Sequence, residues 1–157
     1  MIHFRIISVG KAKDAWIESG FSHYSNLLAK YANLEDIYVK AEKVYDEARR
    51  EQVLAREQEN ITSRLEKENL LIVLDAAGKQ FSSEKLAEYF NEKCVQGQSR
   101  FDLVIGSALG LSDEIKKRGD LLLSLSKLTF PHELTRLIMA EQLYRAMSIL
   151  QGSKYHK

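Results

Sequence analysis

The 157-residue chain carries one cysteine, one proline and one tryptophan. A single cysteine, Cys94, excludes an internal disulfide framework and suits a reducing cytoplasm. It reads as a small apolar residue on a helix face, because no neighbouring His or Cys supports a reactive thiol. Long apolar runs are missing too: none approaches the roughly 20 residues that a membrane-spanning helix needs. The opening MIHFRIISVGKAK is too charged, and its apolar run too short, for a secretory signal. The expectation is a soluble, cytoplasmic protein with no membrane partner. Charge of one sign is also absent, since 23 basic and 22 acidic residues leave +1. That argues against a generic, charge-driven nucleic-acid binder. A local basic surface stays open: beyond residue 125, Lys127, Arg136, Arg145, Lys154 and Lys157 face only Glu133 and Glu141. No repeat, low-complexity tract or Pro/Gly/Ser-rich linker interrupts the chain. No dinucleotide or P-loop glycine pattern occurs, and no His/Cys cluster has metal-ligand spacing. One metal-free domain spanning residues 1–157 is expected.

What is present alternates between strand and helix. FRIISV (4–9) is a short β-rich run closed by Gly10, and LEDIYV (34–39) is a second. Between them Trp16, Ile17, Phe21, Tyr24, Leu27, Leu28 and Tyr31 fall at helical spacing. YDEARREQVLAREQENITSRLEKE (45–68) reads as a long charged helix with a thin apolar side. NLLIVLD (69–75) is the strongest buried-strand signal. Ser82 or Ser83 can cap the helix that holds Leu86, Tyr89 and Phe90. FDLVIG (101–106) is another buried run, and Ser112 with Asp113 and Glu114 opens a short helix. Strands that do not alternate, separated by helices, imply an α/β domain with a mostly parallel sheet covered by helices on both faces. In such sheets ligands bind beyond the carboxyl ends of the strands. Leu74-Asp75, Ile105-Gly106 and the stretch around Ser126-Lys127 are the candidate ends.

The only proline sits in LLLSLSKLTFPHELTR (121–136). Leu123 and Leu125 alternate with Ser124 and Ser126, then the apolar positions shift to Leu128 and Phe130. A one-residue slip sends side chains to the opposite face, so this stretch cannot be one regular strand. Pro131 fixes φ for the start of a helix over about His132 to Leu150. That helix is apolar nearly all round (Leu134, Leu137, Ile138, Met139, Leu143, Tyr144, Met147, Ile149 and Leu150). One side for the sheet and one for a partner is the reading, which points to a homodimer. GSALGL spaces Gly106 and Gly110 so that backbone can turn sharply after a strand and approach a ligand. Among the histidines, His132 stands out for its place in the first turn of the last helix, beside the polar break. His156 lies in a tail that composition alone would leave frayed.

SLSKLTFPHELTRLIMAEQLYRA and the ending GSKYHK resemble the ribosomal large-subunit pseudouridine methyltransferase H family, a single-domain branch of the SPOUT class of S-adenosylmethionine-dependent methyltransferases. ISVGK, LDAAGKQFSSE and VIGSALGLS add matching positions along nearly the whole chain; residues 40–67 match only in general character. The resemblance implies a trefoil knot in the C-terminal half and methyl transfer to N3 of a pseudouridine in 23S ribosomal RNA, on the assembled ribosome. By position it implies donor contacts from Leu74, Gly106, Leu125, Ser126, Lys127, Leu128, Thr129 and Phe130, with no metal. The chain departs from the family pattern at Ser107, where a second glycine is usual, at Ala108-Leu109, and at Ala76. Were Ser107 to keep a positive φ it would carry roughly 1–3 kcal/mol of strain.

The acceptor side is expected to draw on His132, Arg136, Tyr144, Tyr155 and His156. A neutral His can accept the imide proton, Arg136 can grip a phosphate or base carbonyl, and Tyr144 and Tyr155 can stack on a splayed base. Core or dimer packing accounts equally well for Tyr144. The alternatives are a related methyltransferase acting on tRNA, and a non-catalytic dimeric RNA- or ribosome-binding protein that lost donor binding through its altered GSALGL loop.

Overall fold

The computed structural model describes residues 1–43 and 47–157. Five strands form one all-parallel sheet in the order β2-β1-β4-β3-β5: β1 (Ile2–Val9), β2 (Ala32–Val39), β3 (Leu70–Gln80), β4 (Arg100–Ile105) and β5 (Leu121–Ser124). The helices are α1 (Ala15–Leu28), α2 (Arg50–Thr62), α3 (Ser83–Val95), α4 (Asp113–Arg118) and α5 (His132–Leu150). Strand residues supply both faces, which is why the sequence does not alternate. Phe4, Ile6, Ile72, Leu103 and Ile105 pack with α1, α3 and α5. Ile7, Val9, Val73 and Val104 point the other way, against Ile61 of α2 and Ile115 of α4. The expected α/β architecture, with helices on both faces of a parallel sheet, is the one observed.

Several boundaries differ from the sequence expectation for identifiable reasons. The charged segment expected as one helix over 45–68 is a 3₁₀ turn (Glu47–Arg49) followed by α2, and it leaves the helix after Thr62. Tyr45 and Asp46, its expected start, lie outside the described residues. Its thin apolar side is Val53 and Ile61, with a carboxylate, Glu57, buried between them. α1 ends at Leu28, short of Tyr31, and Trp16 is 62% exposed rather than in the core.

β3 outruns its expected end at Asp75 because β5 meets it twice. Leu123 pairs with Leu74 and again with Lys79, so residues 75–78 are looped out between the two registers. Gly78 permits the crossing: a Cβ there would lie 2.6 Å from the Leu122 carbonyl oxygen. The C-terminal tail is not frayed. Lys154–His156 form a 3₁₀ turn whose entry is capped by the Ser153 hydroxyl, which accepts from the Tyr155 N–H. No helix among the described residues is long and apolar enough to cross a membrane.

Candidate functional site

The carboxyl ends of β3, β4 and β5 open into one cavity of about 600 Å³. Its walls are Leu74, Asp75 and Ala76 from the loop after the first register of β3, and Ile105 to Ala108 with Gly110 from the loop after β4. Leu123, Leu125, Ser126, the run from Leu128 to Pro131, and His132 with Thr135 at the start of α5 complete it. These are the three strand ends picked from the sequence, now on one side of the sheet.

Glycine decides the shape of the second loop. A Cβ on Gly106 would stand 2.5 Å from the Gly110 carbonyl oxygen, too close for any side chain. Gly110 takes φ +81° and donates its N–H to the Ser107 carbonyl at 2.9 Å, closing the turn. No non-glycine residue among the described ones has positive φ. The strain considered for Ser107 is therefore not present; the left-handed position is Gly110 instead. Ser107 uses its hydroxyl to donate to Glu57 Oε2 at 2.8 Å. The Glu42 N–H donates to Oε1 of the same carboxylate, and burial pushes the Glu57 carboxyl up from its ordinary value. α2 also reaches the far end of the loop, where the Ser112 hydroxyl donates to Gln58 Oε1. A helix on the opposite face thus braces both ends of a cavity wall.

The third loop answers why the pattern breaks at Ser126-Lys127. From Leu125 to Phe130 the chain makes no backbone-to-backbone hydrogen bond among the described residues. Two side chains hold its shape: the Ser124 hydroxyl donates to the Ser126 carbonyl, and the Leu128 N–H donates to the Ser126 hydroxyl. The rest of the backbone is available to a ligand, as buried or recruited polar groups must find partners. Leu125, Ser126, Leu128, Thr129 and Phe130 all line the cavity; Lys127 is exposed and does not. Leu128 is 71% exposed at the lip, an apolar side chain open to solvent. Pro131, in extended backbone at φ −54° and ψ 144°, then hands the chain to α5.

Two titratable groups border this cavity. Burial alone would raise the Asp75 carboxyl, but the Lys116 ammonium at 2.9 Å and the Ala77 N–H hold it below the usual range. It is an anion at neutral pH. His132 contributes a ring whose Nε2 is buried without a hydrogen-bond partner among the described residues, 4.0 Å from the Glu133 carboxylate. A buried ring nitrogen left unpaired is costly unless a ligand or water completes it.

The other expected acceptor-side residues lie elsewhere. Arg136 is 1% exposed and points away from the cavity, toward β2 and α1. Its Nε donates to Asp36 Oδ1 at 3.0 Å, its Nη2 to Asp36 Oδ2, and its Nη1 to Glu18 Oε1 at 3.2 Å. The Phe21 ring covers the guanidinium at 3.7 Å. Within this chain its donors are spent on carboxylates, so the geometry forms no grip on a substrate through Arg136.

Tyr144, Tyr155 and His156 form a second cluster along α5. Tyr155 packs on Tyr144 with ring centroids 4.5 Å apart and donates its hydroxyl to Glu141 at 3.0 Å. Burial, then hydrogen bonds with Tyr24 and Glu141, push its phenol well up, so it stays protonated at neutral pH. His156 meets Glu84 at 2.7 Å and Arg145 at 3.4 Å. From His132 to Arg145 the helix rises about 20 Å. Within one chain the tail cluster and the cavity are separate.

Sequence reasoning missed Glu57, Asp75 as a lining carboxylate, and Thr135. The signal for Glu57 was available: Val53, Glu57 and Ile61 share one stripe, and an acid in an apolar stripe calls for a partner. Cys94 behaves as expected, half-buried with its thiol pushed up by burial.

The fit of S-adenosylmethionine can be tested against this geometry. The volume is in the range of small-molecule sites. Apolar walls from Leu74, Ile105, Leu125 and Phe130 suit an adenine face, the free backbone of the third loop suits its ring edges, and the Asp75 carboxylate suits hydroxyls or a positive centre. The residues fit.

A family model described as "Predicted SPOUT methyltransferase" matches residues 2–156. A protein named ribosomal RNA large subunit methyltransferase H from Acetivibrio thermocellus is 43% identical over 155 residues, covering 97% of this chain and 98% of its own. One of the same name from Natranaerobius thermophilus is 41% identical over 156 residues, covering 98% of each. Among solved structures, a probable methylase family protein from Haemophilus influenzae aligns with TM-score 0.53 at 16% identity, over 98% of this chain and 70% of that one. A probable methyltransferase from Bordetella pertussis aligns with TM-score 0.54 at 12% identity, over 92% and 95%. The last two show likeness of fold alone.

Proposed function

The chain belongs to the SPOUT methyltransferase family, and from that premise we propose that it transfers a methyl group from S-adenosylmethionine to N3 of a pseudouridine in large-subunit ribosomal RNA. The observation that carries the donor half is the convergence of three loops, from β3, β4 and β5, on one largely apolar cavity with a free backbone edge. The acceptor half rests on relatives about 40% identical over their full length, whose names specify ribosomal RNA. The assembled ribosome is the acceptor in this reading: a chain of net charge +1 has no overall positive field to draw it to RNA at large, so any phosphate contact is local and selection falls to the shape of the acceptor.

When bound, the donor supplies an electrophilic methyl on a positively charged sulfur. The protein's task is to align and to manage a proton. Leu74, Gly106, Leu125, Ser126, Leu128, Thr129 and Phe130 hold the donor; Lys127, exposed beside them, contributes its backbone. Alignment supplies up to about 7–11 kcal/mol of a barrier of this kind. The attacking imide nitrogen must lose a proton. His132, with an unpartnered Nε2 at the cavity wall, is the residue in this reading that accepts it, for a factor of about 10² to 10⁴.

The protein acts in the cytoplasm as a homodimer in this reading. Half-buried Leu134 and Ile138 of α5 stand outside both core clusters, and Trp16 of α1 is exposed. Tyr144, Tyr155 and His156 join an acceptor site only through a second copy of the chain, because their own cavity is about 20 Å away along α5. The knotted C-terminal half belongs to the same proposal.

Calorimetric titration with S-adenosylmethionine, followed by transfer of labelled methyl to large ribosomal subunits, tests the reading. Saturable donor binding with label in large-subunit RNA is expected. No donor binding by the folded protein would leave a non-catalytic ribosome-binding dimer, and label in tRNA instead would reassign the acceptor.

A further inference from the structure

A second cavity, also about 600 Å³, lies on the other side of His132, at the carboxyl ends of β1 and β2. Its walls carry Lys11 and Lys13 from the β1–α1 loop and Lys40 from the loop that leaves β2. All three ammonium groups are on exposed residues, and none forms an ion pair among the described residues. Among the described residues the one acid that lines the cavity is Glu133, whose carboxylate lies 4.0 Å from His132 rather than at a lysine. Three cations around one carboxylate in an open concavity make a site for an anion larger than a single ion. Lysines are point charges that position a phosphate backbone without reading bases.

His132 lines both cavities, and its unpartnered Nε2 lies where a Cβ on Gly10 would approach it to 3.4 Å. The two concavities therefore share a wall one side chain thick. We propose that the second cavity holds the phosphodiester backbone of the acceptor RNA, with Lys11, Lys13 and Lys40 as its contacts, so that a nucleotide reaches the first cavity past His132. This rests on the ribosomal RNA reading for its acceptor but not for its charge.

Two measurements separate the failures. The first is fluorescence anisotropy of a labelled single-stranded RNA oligonucleotide, titrated with wild type and with a Lys11→Ala/Lys13→Ala/Lys40→Ala variant between 50 and 200 mM salt. The second is methyl transfer to large ribosomal subunits, with donor affinity followed by calorimetry. The control carries the same charge loss at the amino-terminal edge of the sheet, as Lys30→Ala/Lys67→Ala/Lys117→Ala. Each phosphate that the variant no longer neutralises flattens the salt dependence by about 0.7 in log–log slope for single strands. Three such phosphates make wild-type RNA affinity fall roughly 18-fold more than the variant's over that fourfold salt change. The acceptor KM rises at least about tenfold in the variant, with kcat and donor affinity within about twofold and the control unaffected. Wild type that binds no RNA, or a variant whose affinity and salt slope match wild type, overturns the proposal. Lysine-dependent RNA binding without transfer to ribosomal RNA would uphold it and overturn the acceptor reading instead.

Discussion

Replacing Arg136 with methionine should destabilise the protein while sparing the donor cavity. The guanidinium is buried, makes two bonds to Asp36 and one to Glu18, and lies under the Phe21 ring. Breaking a buried pair by removing one partner costs about 3–5 kcal/mol. Here the carboxylates left behind keep some water, Asp36 with 22% and Glu18 with 45% of the side chain exposed, which favours the lower end. Loss of the cation–π interaction adds about 1–2 kcal/mol, and the methionine stem recovers part of it by packing on the same ring. The net expectation is about 3 kcal/mol. For a chain of this length that lowers Tm by roughly 6–12 °C. Circular dichroism melting and calorimetry read it, with S-adenosylmethionine titrated well below the lower Tm. Donor affinity should change less than about twofold, and Asp36→Asn should cost less in the Arg136→Met background than in wild type, because the pair acts as a unit. An unchanged Tm together with abolished methyl transfer would refute the reasoning and return Arg136 to the substrate.

Gly106→Ala forces a carbon to within 2.5 Å of the Gly110 carbonyl, so the loop must move; overpacking of about 1–3 kcal/mol translates into donor affinity lower by about 10- to 100-fold, measured by calorimetry on a variant with wild-type circular dichroism. Burial raises the Glu57 carboxyl above its unfolded value near 4.5, so the favourable neutral form is fully present below that pH and its contribution is lost as pH rises through the folded value. Glu57→Gln keeps an acceptor for the Glu42 N–H and turns its NH2 to the Ser107 hydroxyl, which then accepts instead of donating, all without the charge; its Tm at pH 7.5 should be no lower than wild type, with a flatter Tm–pH profile between pH 4.5 and 8, and a Tm several degrees lower would mean the charged form is the stabilising one. Deleting Tyr155 to Lys157 should cut turnover at least about tenfold with donor affinity nearly intact, and unchanged turnover would remove the tail from the acceptor site.

Single residues show where sequence reading reached its limit. The slip between Leu125 and Leu128 was legible because side-chain alternation has period 2, and the structure gives that slip its reason in a stretch whose backbone is left free. The longer β3 was not legible, since its continuation depends on β5 passing over Gly78, a partner 44 positions away in sequence. Arg136 looked the same from sequence whether it faced a phosphate or a carboxylate; in the fold it faces Asp36, on an edge strand. The tail read as frayed because Ser153 and Glu141 stabilise it through contacts that composition does not express.

The sequence by itself determined the class of fold, the order of strands and helices, and the three strand ends that the candidate site is built from. Those follow from periodicity, capping residues and the position of one proline, all local in the chain. Only the tertiary structure decided that the three ends meet in one cavity, that Glu57 braces Ser107 from the opposite face, and that His132 separates an apolar cavity from a basic one. Local propensity fixes how each segment folds. Which side chains then face each other depends on sheet order and register, and in a parallel sheet both are set by pairings between distant strands.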